Sequence, residues 1–120
     1  MSNNILVTDD SSFMRTLLSN IFKNNEEVGK IFHASNGYEA LEIYKNEKID
    51  LVTMDLDMPQ MNGLESAKQI KLVDPNAKIV MVSSSKKIED KDESEKIGVL
   101  GYITKPFDRS QINKIIENMS

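Results

Sequence analysis

Short apolar runs separated by amphipathic stretches leave this chain few ways to fold. Strand-like runs fall at about residues 4–8, 30–34, 50–54, 78–82 and 99–103, and most are apolar throughout instead of alternating with polar residues. Strands buried on both faces read that way, and they belong to parallel sheets covered by helices above and below. The intervening segments carry the 3,4 spacing of helices with one buried face. Phe13, Leu17, Leu18, Ile21 and Phe22 form one stripe, and Ala40, Leu41, Ile43 and Tyr44 suggest a second. Leu64, Ala67, Ile70 and Val73 suggest a third, and Ile112, Ile115, Ile116 and Met119 mark the last. Such βα units, joined by right-handed crossovers, predict an α/β fold with a doubly wound parallel sheet and helices on both faces. Turn signals at Ser35-Asn36-Gly37, Asn62-Gly63 and Asp74-Pro75-Asn76 fall between the elements.

Four of the runs deliver a polar group at their C-terminal end. Ile5-Leu6-Val7 leads into Thr8-Asp9-Asp10, and Leu51-Val52-Thr53-Met54 stops at Asp55. Ile79-Val80-Met81-Val82 stops at Ser83, and Tyr102-Ile103-Thr104 leads to Lys105-Pro106. In an open parallel sheet these ends share one edge, where ligands bind. Three carboxylates crowded there raise one another's pKa unless a cation neutralises them. A hard divalent ion with oxygen ligands fits, and Mg²⁺ suits a site that leaves room for waters and a phosphate. Alone, Asp9-Asp10 would read as the cap of the first helix. The convergence of the other strand ends turns the pair into a candidate site for a cation and a phosphoryl group.

Charge and composition narrow the partners. A chain of 120 residues with a net charge of -4 has the size of one domain and lacks the clustered basic surface that nucleic acid requires. Without cysteine it has neither a disulfide framework nor a thiolate metal site. No apolar stretch approaches bilayer-spanning length, and Met1-Ser2-Asn3-Asn4 has no signal-peptide character, so a cytoplasmic protein with no membrane contact is expected. Segment 86–96 is rich in Lys, Glu and Asp, with only Ile88 and then Ile97 as apolar anchors. A fourth helix here should be solvated, short or frayed, because helices draw most of their stability from a packed apolar face. It reads as an ordinary charged surface first and a mobile partner-facing element second.

Taken together, the motifs resemble the receiver domain of two-component response regulators over essentially the whole chain. The residues carrying the resemblance are Leu6-Val7-Thr8-Asp9-Asp10, Asp55-Leu56-Asp57-Met58-Pro59-Gln60-Met61-Asn62-Gly63, Val80-Met81-Val82-Ser83 and Gly101-Tyr102-Ile103-Thr104-Lys105-Pro106-Phe107. Through Asp9-Asp10-Ser11-Ser12-Phe13-Met14-Arg15 the chain is similar to the CheY-like, single-domain chemotaxis regulators. The resemblance implies a flavodoxin-like sheet in the order 2-1-3-4-5, carried over from the family, and one receiver domain over residues 1–120 with no output domain.

It also implies roles. Asp55 would accept a phosphoryl group from a histidine kinase. Asp10 and Asp55 would bind Mg²⁺, or Mn²⁺ in its place, directly. Asp9 would act at least through a coordinated water, and the Asp57 backbone carbonyl would be a further ligand. Lys105 would place a compact charge on a phosphoryl oxygen, and Ser83 a hydroxyl on another. Ser83 and Tyr102 would form the switch, and the Lys105-Pro106 bond would be cis. The phosphorylated form would engage a downstream protein, a flagellar switch component or a phosphatase, through the 86–119 face. The protein would be a monomer and no enzyme, assisting only its own phosphorylation and dephosphorylation.

Asp57 and Ser85 depart from any simple assignment and are candidate modulators of phosphoryl lifetime. His33, the single histidine, is read as a strand or surface residue with no role. Three other readings compete. A phosphorelay intermediate outside chemotaxis uses the same domain. Asp55-Leu56-Asp57 also looks like the acid pair of haloacid dehalogenase phosphatases, although there the pair follows the first strand. A flavodoxin-like mononucleotide binder has the same architecture, but Asp9-Asp10 would repel a phosphate after the first strand.

Overall fold

The computed structural model describes residues 2–119, which form five strands and five helices in strict alternation. The strands are β1 (Asn3–Thr8), β2 (Val28–Ala34), β3 (Leu51–Met54), β4 (Ile79–Ser83) and β5 (Gly101–Thr104). The helices are α1 (Ser12–Lys23), α2 (Gly37–Asn46), α3 (Gly63–Val73), α4 (Ile88–Ile97) and α5 (Arg109–Glu117). All pairings are parallel and the sheet order is β2-β1-β3-β4-β5, as expected.

Because side chains alternate across a strand, each strand supplies two cores. Leu6, Val52, Met54, Ile79 and Met81 point to one face, where Ala40 of α2 and Ala67 and Ile70 of α3 cover them. Ile5, Val7, Leu51, Val80 and Val82 point to the other, under Leu18, Ile21 and Phe22 of α1 and Ile112 and Ile116 of α5. Three helices begin where an Asx or Ser side chain accepts a backbone N–H of the first turn. Ser11 accepts from Met14, Asn36 from Glu39 and Asn62 from Glu65.

Two expectations need correction. Phe13 is 74% exposed and Leu17 37%, so neither belongs to the core. At 100° per residue they lie roughly 130° and 90° from the centre of the arc formed by Leu18, Ile21 and Phe22. Val73, on the α3 stripe, is likewise exposed. The fourth helix is solvated as expected but not short: it runs ten residues, as long as α2. Ser94 is its one buried residue, and its hydroxyl donates to the Asp90 carbonyl. Gly98, at φ 94°, ends it in the left-handed conformation that glycine adopts most readily.

Thr53, in the middle of β3, is fully buried, and its hydroxyl has no hydrogen-bonding partner among the described residues. It lies between Val7 and Val80 in register. Thr53→Val replaces that hydroxyl by a methyl of similar size, so the desolvation penalty should vanish. Urea unfolding should show the variant more stable by about 1 kcal/mol. A destabilised variant would mean that the hydroxyl is satisfied in solution.

Candidate functional site

The C-terminal ends of β1, β3, β4 and β5 converge on one edge of the sheet. Backbone bonds from Asp9 N to Ala34 O (3.1 Å), Asp55 N to Thr8 O (3.0 Å) and Lys105 N to Ser83 O (2.8 Å) continue the ladder one residue past the strands. That extension holds the functional side chains in place. Asp9 is 1% exposed and Asp55 5%, while Asp10 faces solvent. One carboxylate oxygen from each of the three lies within 4.8 Å of the others.

Lys105 reaches into this cluster. Its Nζ lies 2.7 Å from Asp9 Oδ2 and 3.5 Å from Asp55 Oδ1. The other Asp9 oxygen accepts from Ser11 N at 2.9 Å, so both of its oxygens are engaged. Arg15, on the first turns of α1, donates from Nη1 to the Asp9 backbone carbonyl at 2.6 Å and braces the β1–α1 loop. One ammonium does not balance three carboxylates. Burial, reinforced by Asp9, pushes the Asp55 carboxyl up to about 6; Lys105 opposes this and Asp10 adds to it. A compact group of hard oxygen donors, the carboxyl of one raised chiefly by burial, fits a divalent cation such as Mg²⁺.

Ser83 is fully buried at the end of β4, and its Oγ accepts from Ser85 N at 3.1 Å. Tyr102 is half-buried on the edge strand β5 and donates its hydroxyl to the Ser85 carbonyl at 2.9 Å. The Ser85 hydroxyl itself turns to Asp90 Oδ2 of α4, at 2.5 Å. The Lys105–Pro106 peptide is cis, as expected. Asp57 is exposed in the β3–α3 loop, and Gln60 in the same loop has a positive φ of 69°. His33 is exposed on β2; partial burial, then the charges of Arg15 and Lys23, hold its pKa down.

The expected residues Asp9, Asp10, Asp55 and Lys105 are thus in one cluster, with Ser83 on the adjacent strand end. Sequence reasoning assigned nothing to Arg15, Gly63 or Asp90. Arg15 and Gly63 stood inside the motifs without a task, and nothing in an acidic surface segment singles out Asp90.

The fold and site define a doubly wound α/β protein that gathers a cation-binding acid cluster and a lysine around one buried aspartate. The chain matches the response regulator receiver domain family over residues 5–117 and belongs to it. Several of its relatives are chemotaxis proteins. The chemotaxis protein CheY of Thermotoga maritima is 40% identical over 121 residues, covering 100% of this chain and 99% of that protein. Sporulation initiation phosphotransferase F of Bacillus subtilis is 34% identical, covering 98% of this chain and 93% of that protein. Among solved structures, a chain of the CheX-CheY-BeF3-Mg+2 complex from Borrelia burgdorferi superposes with a TM-score of 0.91 at 34% identity. That match covers 97% of this chain and 87% of that one. The molecule is a CheY-like receiver domain, which decides against the phosphatase and mononucleotide-binding readings. Among the described residues, no helix is long and apolar enough to cross a membrane.

Proposed function

We propose that this receiver domain is the phosphoacceptor of a two-component pathway, with Asp55 as the accepting residue. The observation that carries the reading is the placement of Asp55. It is buried beside Lys105, within a carboxylate cluster that a divalent cation would neutralise. An Asp55 oxygen attacks the phosphorus of a phosphohistidine on the donor kinase. The P–N bond breaks, the histidine leaves, and an acyl phosphate forms on Asp55. Mg²⁺, or Mn²⁺ in its place, offsets charge on the transferring phosphoryl group when bound.

The ligand division is the one that the family resemblance implies, and exposure and hydrogen bonding are consistent with it. Asp10, which faces solvent, and Asp55 would be the direct ligands. Both Asp9 oxygens are taken, which suits a contact through water. By the family resemblance, the Asp57 backbone carbonyl would be a further ligand. Lys105 already contacts two of the acids and can transfer its charge to a phosphoryl oxygen. Ser83 uses its oxygen as an acceptor from Ser85 N and keeps its proton for a phosphoryl oxygen. Tyr102 reads the same loop through the Ser85 carbonyl.

Similarity to chemotaxis proteins at 40% identity supports an output role in chemotaxis, with a flagellar switch component or a phosphatase as partner on the 86–119 face. Similarity to a sporulation phosphotransferase supports a relay intermediate as the second reading. In either case the protein acts as a cytoplasmic monomer, a switch and not an enzyme with an external substrate. Asp57 and Ser85 set phosphoryl lifetime.

Acetyl phosphate with Mg²⁺ should modify the wild type, visible as a shifted band on phosphate-affinity gels, and leave Asp55→Asn unmodified. Asp10→Ala should lose most of the modification through lost metal. Equal labelling of wild type and Asp55→Asn would end the assignment.

A further inference from the structure

In the loop joining β4 to α4, hydrogen bonds converge on Ser85. Its N–H donates to Ser83 Oγ at 3.1 Å, and its carbonyl accepts from the Tyr102 hydroxyl at 2.9 Å. Its own hydroxyl donates to Asp90 Oδ2 at 2.5 Å and accepts from Lys87 N at 3.3 Å. One residue therefore links the buried hydroxyl at the phosphoryl edge, the aromatic on β5 and the first turn of α4.

That first turn has little else to hold it. Lys87, at the N-cap, makes no side-chain capping bond, and Ile88 is 70% exposed. Further along, Lys68 and Glu93 lie 3.4 Å apart, but both are well exposed, and such pairs contribute little. Lys91 Nζ sits 5.7 Å from the Tyr102 ring centre. A hydroxyl given to a carboxylate is a charge-assisted bond, stronger than its neutral neighbours in the loop. The polar pin, and not apolar packing, orders this junction.

The geometry points to Asp90 as a positioning residue of the switch: by holding the Ser85 hydroxyl, it keeps the β4–α4 loop in the arrangement that serves Ser83 and Tyr102 together. The proposal rests on Asp55 being the phosphoacceptor and goes beyond it. Ser85 then acts as a mechanical link between the site and α4, with Asp90 setting its position. Without Asp90 the loop samples more arrangements and Tyr102 loses a fixed acceptor. The fraction of molecules ready to receive a phosphoryl group falls, and apparent affinity for a phosphoryl mimic falls by the same factor.

The test uses the whole protein as wild type, Asp90→Ala, Ser85→Ala, the double variant and Ser85→Thr, which keeps the hydroxyl. Amide hydrogen exchange is followed by NMR without metal, and beryllofluoride is titrated in saturating Mg²⁺. In Asp90→Ala the Ser85 and Lys87 amides should exchange about tenfold faster, and beryllofluoride affinity should fall about tenfold, the equivalent of about 1.4 kcal/mol. Affinity for Mg²⁺ alone should not change. Ser85→Ala should show the same loss, the double variant no further loss, and Ser85→Thr near wild-type behaviour. A helix cap without a role in the switch would loosen α4 amides but leave beryllofluoride affinity intact, and that result would overturn the proposal. So would unchanged exchange at Ser85, or losses in the two single variants that simply add. A wild type that binds no beryllofluoride would overturn the phosphoacceptor reading instead, while the exchange data would still decide whether Asp90 holds the loop.

Discussion

Gly63→Ala is expected to be the most damaging single methyl in this protein. A Cβ at Gly63 would stand 2.1 Å from the Asp55 carbonyl oxygen and 2.9 Å from both the Asp55 carbonyl carbon and Leu56 Cα. All three are backbone atoms, so no side chain can swing aside. The Gly63 N–H also donates to the Leu56 carbonyl at 2.9 Å, tying the start of α3 to the residue after Asp55. Relief must come from moving α3 or the end of β3. Overpacking of this kind costs about 3 kcal/mol or more. The displaced atoms carry Asp55, so Mg²⁺ affinity should fall at least tenfold even in conditions where the variant stays folded. Urea unfolding and a Mg²⁺ titration measure the two effects. Gly101→Ala is the control: nothing lies within 4 Å of a Cβ there, and stability should hardly change. A Gly63→Ala protein within about 0.5 kcal/mol of wild type would refute the close approach.

Removing the Asp55 charge should stabilise the metal-free protein. Burial and the neighbouring acids hold this carboxyl at about 6 in the folded state, against an ordinary value of 3.8. Between those values the folded protein keeps a proton that the unfolded chain has released. Folding then takes up a proton, so this group makes stability fall as pH rises from about 4 to about 6, and the penalty is complete at neutral pH. Allowing for screening by water and Lys105, it amounts to about 1–2 kcal/mol. Asp55→Asn cannot ionise and should be more stable than wild type by that margin at pH 7 in EDTA, with the difference vanishing near pH 4. Saturating Mg²⁺ should narrow the gap from the other side, because it binds and stabilises the folded wild type. Urea midpoints across this pH range, with and without Mg²⁺, give both comparisons. A gap between the two proteins that does not grow with pH would sink the explanation. The burial and crowding of acids that weaken the metal-free fold would also favour a cation at this edge, so stability and the proposed function oppose each other at one residue.

Much of this molecule is readable without coordinates. Runs such as Leu51–Met54, apolar but for Thr53, and Ile79–Val82, apolar at every position, read as strands covered on both faces, and helical stripes between them point to parallel crossovers. That placed Asp9, Asp10, Asp55, Ser83 and Lys105 on one edge before any contact was known. Periodicity failed where it had to choose between burial and exposure on the same helix. Phe13 and Leu17 share the α1 stripe with Leu18, yet the sheet and α5 cover only the narrower arc. It also underestimated α4, because Asp90, Ser94 and Gly98 stabilise that helix through polar and backbone bonds that an apolar count does not register.

Sequence by itself determined the parallel α/β order, the edge of the sheet that carries chemistry and the residue types gathered there. These follow from short-range rules, the continuous apolar runs of buried strands and the 3.6-residue turn of helices, while the strand order 2-1-3-4-5 came from the family resemblance. Tertiary structure alone decided which groups meet across the loops. Lys105 lies 2.7 Å from Asp9 although 96 residues separate them, Gly63 presses against Asp55, and Ser85 joins Ser83, Tyr102 and Asp90. Such contacts depend on how far each loop carries its residues past a strand end, and no local periodicity encodes that distance.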